Sequence, residues 1–239
     1  MKTIFYPENE RGHANHGWLD AHHTFSFASW YNPEKMNFGV LRVLNDDRIA
    51  AGMGFGQHPH DNMEIITIPL SGSIRHQDTM GNQAIVNAGE IQVMSAGTGI
   101  QHSETNPSNS EELTLFQIWL FPDKRGHEPR YDQRPLDEAK MNNQFAQILS
   151  PNAEDDNVWI HQNAWFNMGK FTEDQKVEYK LNDSTNGLFV MQVEGESSVA
   201  GQILKRRDAI GVVESDKVVL DIKKGSTLLL MEVPLNINY

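Results

Sequence analysis

Short strand-like runs separated by turns dominate this chain and limit what it can fold into. Between Val40 and Met94 the runs are VLRVLN, MEIITIPL, GSIRHQ, QAIVNA and EIQVMSA, and the segments between them are rich in Gly, Asn and Asp. Short runs bounded by such turn residues are typical of strands in antiparallel sheets. The pattern predicts an all-β protein without a long helix.

A second series of strand-like runs follows a polar connector. The run LTLFQIWLF, from Leu113 to Phe121, precedes PDKRGHEPRYDQRP, whose prolines and alternating charges mark the end of a domain. Beyond it, VMQVEGES and GQILKRRDAIGVVES repeat the order of strands and turns in TIPLSGS and GNQAIVNAGEIQVMS. We therefore expect two antiparallel β-barrels packed on each other, with residues 1–130 as the first domain, 131–150 as a connector and 151–239 as the second. Two unrelated β-domains would give a similar pattern.

Composition excludes several classes of function. The chain has 239 residues, a formal net charge of −12 and no cysteine. The negative charge disfavours direct binding to nucleic acid, and the absence of cysteine removes disulfides, thiolate metal sites and cysteine nucleophiles. No apolar run approaches the ~18 residues of a membrane span, and the N-terminal residues carry charges where a secretion signal would be apolar. We expect a soluble, cytoplasmic protein whose chemistry uses histidines, carboxylates, hydroxyls or a bound metal.

Two pairs of metal-binding side chains are the sharpest local feature. His58 and His60 are two residues apart in GFGQHPH, and His102 and Glu104 are two residues apart in GIQHSE. In an extended strand, residues i and i+2 point to the same face, so each pair can reach one metal ion. If the two strands are neighbours, three imidazoles and one carboxylate converge and leave coordination positions open for catalysis. Each histidine taken alone is more often hydrogen-bonded than a ligand.

The sequence around these pairs resembles the pirins of the cupin superfamily. The matching motifs are GFGQHPHDNMEI, GSIRHQDTMGN and SAGTGIQHSETNP, and the likeness extends to RGHANHGWLDAHHTFSFASWYNP and LFQIWLFPDKRGHEPRYDQR. It covers nearly all of the first half and only loosely the second. The resemblance implies two cupin-type barrels, a bicupin, with the metal held by His58, His60, His102 and Glu104. In the general cupin pattern Glu64 would be the carboxylate ligand, and the i, i+2 spacing favours Glu104 instead.

The resemblance also implies a function. Bacterial pirins are associated with quercetin 2,3-dioxygenase activity, in which O2 cleaves a flavonol and carbon monoxide is released. We expect a divalent transition metal, with Fe2+ favoured by the resemblance and Ni2+, Cu2+, Mn2+, Co2+ or Zn2+ compatible with a donor set of three nitrogens and one oxygen. Glu104 is the expected catalytic base, accepting the proton of the flavonol 3-hydroxyl.

Two other functions stay open. Eukaryotic pirins are described as redox-sensitive regulators that bind transcription-factor partners, and the same ligands would serve a metal switch with a protein partner. The superfamily also includes isomerases and other non-oxidative enzymes that act on small polar metabolites. The pocket lining discriminates, because basic side chains near the metal favour an anionic substrate and aromatic walls favour a flat flavonoid.

Several further residues have two interpretations. Glu64 either orients an imidazole or lies at the surface. His76 and Asp78 share the i, i+2 spacing and either line the same cavity or, more simply, belong to a polar turn before TMGN. A group of aromatic residues near the N-terminus either walls the pocket or, more commonly, fills the core. These residues are Phe25, Phe27, Trp30, Tyr31 and Phe38. After His127 the only histidine is His161, so the second domain is expected to bind no metal.

Overall fold

The computed structural model describes residues 1–237, and these residues form strands almost throughout. The strands are β1 (Lys2–Tyr6), β2 (Gly12–Asn15), β3 (Leu19–His23), β4 (Leu41–Ile49), β5 (Gly54–His60), β6 (Glu64–Ser71), β7 (Ser73–Asp78), β8 (Gln83–Asn87), β9 (Glu90–Ser95), β10 (Ile100–Thr105), β11 (Leu113–Leu120), β12 (Arg130–Pro135), β13 (Ala146–Ser150), β14 (Val158–Trp159), β15 (Trp165–Phe171), β16 (Gln175–Lys180), β17 (Asn186–Glu194), β18 (Ser197–Val199), β19 (Gln202–Leu204), β20 (Ala209–Val213), β21 (Lys217–Ile222) and β22 (Ser226–Pro234). A 3-10 helix at Glu8–Glu10 and the α-helix α1 at Glu138–Met141 are the only helices among the described residues. Neither is long enough to cross a membrane.

The chain divides into two compact units, each built from separated stretches of sequence. One unit contains Gly12–Leu136 and Asn152–Gln162, together with Ile237 at the end of the described chain. All ten histidines fall in it, and we call it the histidine-rich unit. The other contains Met1–Arg11, Asp137–Pro151 and Asn163–Asn236, and we call it the histidine-free unit.

The histidine-rich unit has a larger and a smaller antiparallel sheet. The larger sheet has the strand order β12-β9-β6-β11-β4-β3-β2, and the smaller has the order β5-β10-β7-β8. The central strand β11 pairs with β4 on one side and β6 on the other, and its sequence LTLFQIWL is mostly buried. Buried apolar side chains from both sheets, including Ile49, Leu115 and Ile74, form a core cluster. This core fixes the smaller sheet, which carries the predicted metal ligands.

The histidine-free unit repeats this arrangement with its own strands. Its larger sheet runs in the order β1-β20-β17-β22-β15-β13, and its smaller sheet in the order β16-β21-β18-β19. A core cluster that includes Val190, Ile210 and Leu230 lies within it. Strand β1 forms the edge, pairing antiparallel with β20 from Lys2 opposite Val213 onward.

These sheets confirm the all-β prediction, and they correct its detail. The expected barrels are not closed, because the larger and smaller sheets described for each unit are separate hydrogen-bonded sheets among the described residues. A closed barrel needs one continuous ladder around its circumference. Each unit is therefore closer to a β-sandwich, in which side chains from two sheet faces fill the space between them.

Candidate metal centre

The smaller sheet of the histidine-rich unit brings the two predicted pairs side by side. Strands β5 and β10 pair antiparallel, with His102 opposite His58 and Ile100 opposite His60. The register shifts between His102 and Glu104, so that Glu104 lies opposite Phe55. Such a bulge re-aims the side chains of the strand that carries it.

Three imidazoles converge at one point of this sheet. The ring centroids of His58 and His102 are 4.5 Å apart, and each lies 4.9 Å from the ring of His60. One ring nitrogen from each of the three lies within 4.8 Å of the others. Rings this close, each contributing a nitrogen to one small volume, form a donor set for a single transition metal ion.

The hydrogen bonding of these imidazoles leaves nitrogens free to coordinate. His58 donates its Nδ1 hydrogen to the backbone carbonyl of Gly56 at 2.8 Å, which leaves its Nε2 with the lone pair. Nε2 of His60 and both ring nitrogens of His102 are buried without a hydrogen-bond partner. Buried nitrogens of this kind are costly unless something binds them. The residues present therefore fit a bound metal.

Burial keeps the imidazoles of His60 and His102 neutral, as ligands must be. Burial first, and the neighbouring His58 second, lower the pKa of His60 to about 4. The pKa of His102 falls to about 2 for the same reasons, burial first and the surrounding imidazoles second. A proton therefore does not compete with a metal for these nitrogens at neutral pH.

Glu104 lies in a second group of donors that shares His102 with the first. Its carboxylate is 2% exposed, and one of its oxygens lies within 4.8 Å of ring nitrogens of His102 and His76. Nε2 of Gln117 donates to Oε2 of Glu104 at 2.8 Å, and the hydroxyl of Thr67 donates to Oε1 at 3.3 Å. Burial raises the pKa of the carboxyl group. The structure thus brings all four predicted residues to one site, and their role as ligands stays a prediction.

The structure corrects the interpretation of His76 and Asp78 as part of a polar turn. Both belong to strand β7, which pairs with β10 so that Glu104 lies opposite His76. His76 is fully buried, and its Nε2 lies 3.0 Å from Oδ2 of Asp78. Its ring stacks on Tyr131, with centroids 4.7 Å apart. The alternation in GSIRHQD, with Ile74 and His76 inward, is the sequence signal for this position.

Glu64 is buried, and it contacts none of the predicted ligands. It accepts hydrogen bonds from the hydroxyl of Ser95 at 2.6 Å and from Nδ1 of His161 at 3.2 Å. Glu64 therefore orients the imidazole of His161, which is not one of the predicted ligands. The ring of His161 stacks on His127 with centroids 3.8 Å apart.

A cavity of about 500 Å³ opens beside the three imidazoles. His58, His60, His102 and Glu104 all line it. Its remaining lining is mainly aromatic and neutral polar, and none of the described residues that line it is Lys or Arg. These remaining residues are Trp18, Phe27, Asn45, Asp47, Gly54, Phe55, Gly56, Gln57, Ile65, Gln117 and Trp119.

The aromatic walls come mostly from residues that the sequence did not single out. Of the expected aromatic group only Phe27 lines the cavity, whereas Phe25 and Phe38 are buried in the core. Phe27 lies edge-on to Trp119, with ring centroids 5.4 Å apart. Trp18 and Phe55 form a second edge-on pair at 5.3 Å. These two pairs are distant in sequence, and only the folded sheet brings them to one cavity.

Comparison with known proteins assigns the family. The Pirin family model matches residues 5–120, and a model described as the quercetinase C-terminal cupin domain matches residues 147–233. A protein of Escherichia coli (strain K12) named quercetin 2,3-dioxygenase is 44% identical over 226 residues, which is 95% of this chain and 96% of its own. The chain belongs to the pirin family. The resemblance of its histidine motifs to pirins is thereby confirmed.

Solved pirin structures share the fold of this pirin. The crystal structure of YhhW from Escherichia coli matches it with a TM-score of 0.93 and 41% identity, over 100% of both chains. The crystal structure of the same bacterial pirin in complex with nickel(II) matches with a TM-score of 0.92 and 40% identity, over 99% of this chain and 100% of the other. This pirin has the His and Glu groups needed to bind a metal ion.

Proposed function

We propose that this pirin is a metal-dependent dioxygenase that cleaves flavonols such as quercetin with O2 and releases carbon monoxide. The observation that carries the proposal is the cavity beside the imidazoles. Its walls are aromatic, and none of the described residues that line it is a Lys or Arg that would bind an anionic metabolite. A volume of about 500 Å³ lies within the range of small-molecule sites. The relative from Escherichia coli named quercetin 2,3-dioxygenase supports the same substrate class.

The proposed metal ligands are His58, His60, His102 and Glu104. The three imidazoles supply nitrogens from one small volume, and Glu104 supplies an oxygen next to His102. A donor set of three nitrogens and one oxygen suits Fe2+, Ni2+ and the other divalent ions of the first transition row. Nickel(II) is the ion in the complex of the Escherichia coli pirin, and Fe2+ is the ion that the sequence resemblance favours.

Glu104 is the group that accepts the proton of the flavonol 3-hydroxyl. When bound, the metal supplies Lewis acidity that makes this hydroxyl more acidic. Burial raises the pKa of Glu104, which makes its carboxylate a stronger base. Gln117 and Thr67 hold the two carboxylate oxygens in place while one of them takes the proton.

The aromatic walls bind and orient the flat ring system of the substrate. Phe27 and Trp119 form one edge-on pair of rings in the cavity lining, and Trp18 and Phe55 form a second edge-on pair. Contact between aromatic rings contributes about 0.5 to 1.5 kcal/mol for each pair beyond the buried area. The same walls exclude water from the reacting atoms.

Carbon monoxide release from quercetin tests the proposal directly. The purified protein is stripped with a chelator, reloaded separately with Fe2+ and Ni2+, and assayed under air with quercetin. We expect release with at least one metal, loss of release in His58→Ala, and a fall of about 10²- to 10⁴-fold in Glu104→Gln. The control is His16→Ala, because His16 is exposed and lies outside the cavity and the donor groups.

Two results would contradict the proposal. One is metal binding without any carbon monoxide release, which is the outcome expected of a regulatory metal protein. The other is Glu104→Gln retaining both metal and full turnover, which would remove the assigned base.

A further inference from the structure

Asp47 is a buried carboxyl group that the proposed mechanism does not use. It lies on β4, is 4% exposed and lines the cavity beside the imidazoles. Its Oδ1 atom is buried without a hydrogen-bond partner. A buried carboxyl oxygen is normally paired, because leaving a buried polar group without a hydrogen bond is destabilising.

The surroundings of Asp47 do not neutralise it with a cation. The cavity lining contains no Lys or Arg among the described residues, and burial keeps the imidazole of His102 neutral. Burial, together with the nearby charges of Asp46 and Glu104, raises the pKa of Asp47 to about 8. The carboxyl group of Asp47 has no Lys or Arg partner among the described residues of the cavity lining.

Asp47 belongs to a short polar row that faces the aromatic walls. Asn45 precedes it by two residues on the same strand face, and Gln117 lies opposite Asn45 on β11. All three line the cavity. The amide oxygen of Asn45 is engaged by Nδ1 of His23 at 2.9 Å, and the amide nitrogen of Gln117 is engaged by Glu104. Asp47 is the member of this row with a buried oxygen still unsatisfied.

We propose that Asp47 is a specificity-determining residue that hydrogen-bonds a phenolic hydroxyl of the substrate other than its 3-hydroxyl. This inference rests on the proposed function, since it names the second polar anchor of a hydroxylated flavonol. A carboxyl group with an unsatisfied buried oxygen in an aromatic cavity suits a phenol, whose hydroxyl can donate a hydrogen bond to that oxygen. A ligand without such a hydroxyl leaves the buried oxygen unpaired, and a site built this way rejects it.

Binding of two flavonols to the nickel-loaded protein tests Asp47. The ligands are quercetin and 3-hydroxyflavone, which keeps the 3-hydroxyl and lacks the other ring hydroxyls, and affinity is measured by fluorescence. We expect wild type to prefer quercetin by about 10-fold or more. In Asp47→Leu this preference is lost, because quercetin binds more weakly while the affinity for 3-hydroxyflavone stays within about 2-fold. Asp47→Asn, whose amide oxygen also accepts a hydrogen bond, restores most of the preference.

Control variants distinguish an effect of the Asp47 substitution on ligand specificity from an effect on folding. Asp216→Asn changes the same residue type at an exposed position outside the cavity lining, and it is expected to keep the wild-type preference. Asp47→Ala is a second variant in case the leucine overfills the site, and melting temperature and near-ultraviolet circular dichroism check that both fold.

The binding assay distinguishes failure of this inference from failure of the proposed function. A wild-type protein without preference between the two flavonols, or without affinity for either, overturns the role of Asp47. An equal loss of affinity for both ligands in Asp47→Leu also overturns it. A preference that depends on Asp47 supports the role even if no carbon monoxide is released, and in that case only the dioxygenase proposal fails.

Discussion

Nε2 of Gln117 donates a hydrogen bond of 2.8 Å to Oε2 of Glu104, and this bond joins the two sheets of the histidine-rich unit. Gln117 lies on β11 in the larger sheet, and Glu104 lies on β10 in the smaller one. Behind them, Nε2 of Gln92 donates to the hydroxyl of Thr67 at 3.3 Å, and that hydroxyl donates to Glu104. A buried chain of amides and hydroxyls thus fixes the orientation of the carboxylate from the opposite sheet.

Removing this support should weaken metal binding. We expect Gln117→Leu to lower the affinity for Ni2+ by about 10- to 100-fold, because partners that orient a ligand have effects of this size. Affinity is measured by competition with a coloured chelator. Thr114→Ala is the control, since Thr114 is on the same strand and bonds Ser71 at the surface. An unchanged affinity in Gln117→Leu would show that the carboxylate does not need this hydrogen bond to bind metal.

Gly54 should tolerate no side chain, because strands β5 and β10 pack against each other there. A Cβ atom on Gly54 would lie 2.3 Å from the backbone oxygen of Glu104 and 2.5 Å from Cα of Thr105. We expect Gly54→Ala to lower the free energy of unfolding by about 1 to 3 kcal/mol and to weaken metal binding. Gly56→Ala is the matched control, since a Cβ there meets nothing within 4 Å. Equal urea midpoints for the two variants would contradict this account.

The stability that His102 contributes to the metal-free protein should be lost as the pH falls. His102 has a pKa of about 2 in the folded chain against 6.5 as its ordinary value, so the unfolded chain binds more protons between these values. The stability that His102 contributes is therefore fully present above pH 6.5 and declines below it, with a slope of at most about 1.4 kcal/mol per pH unit. Urea unfolding at pH 5 and pH 7.5 measures the decline.

A variant identifies the residue responsible for that decline. We expect His102→Asn to show a shallower dependence on pH, because asparagine cannot take up a proton. His16→Asn, at an exposed position, should keep the wild-type dependence. The same slope in His102→Asn and wild type would mean that other groups control acid stability.

Substitution by glutamine should affect metal binding at Glu104 and leave it unaffected at Glu64. Glu64 bonds Ser95 and His161, so Glu64→Gln should keep full metal content and lower the free energy of unfolding by about 1 kcal/mol. Glu104→Gln should lose metal affinity, because the amide is a poorer ligand than the carboxylate. Elemental analysis after dialysis measures metal content. Metal loss in the Glu64 variant alone would instead support the general cupin pattern of ligands.

Sequence reasoning found the donor pairs because their signal is local. The spacing of His58 with His60, and of His102 with Glu104, is visible within single strands. The resemblance of these segments to pirins then indicated which carboxylate belongs to the site. Both signals depend on residues that are close in the chain, which is where a sequence carries its clearest structural information.

The surroundings of the donors were harder to predict, because they depend on packing between distant segments. Trp18, Phe55 and Trp119 reach one cavity from three separate parts of the chain. His76 was assigned to a turn because polar residues follow it, although the alternation with Ile74 places it inside strand β7. The open sheets were also missed, because alternation predicts the faces of strands but not whether the last strand pairs with the first.

Because β1 pairs with β20, the N-terminal strand cannot join its sheet until residues near the other end of the chain have been synthesised. The stretch Gly12–Leu136, with most of the histidine-rich unit, can fold once that part of the chain has left the ribosome, whereas Lys2–Tyr6 must wait for Ala209–Val213. A fragment that starts at residue 151 would lack β1 and present β20 as an uncovered edge. Exposed edges recruit other chains, so such a fragment should aggregate where the full-length protein does not.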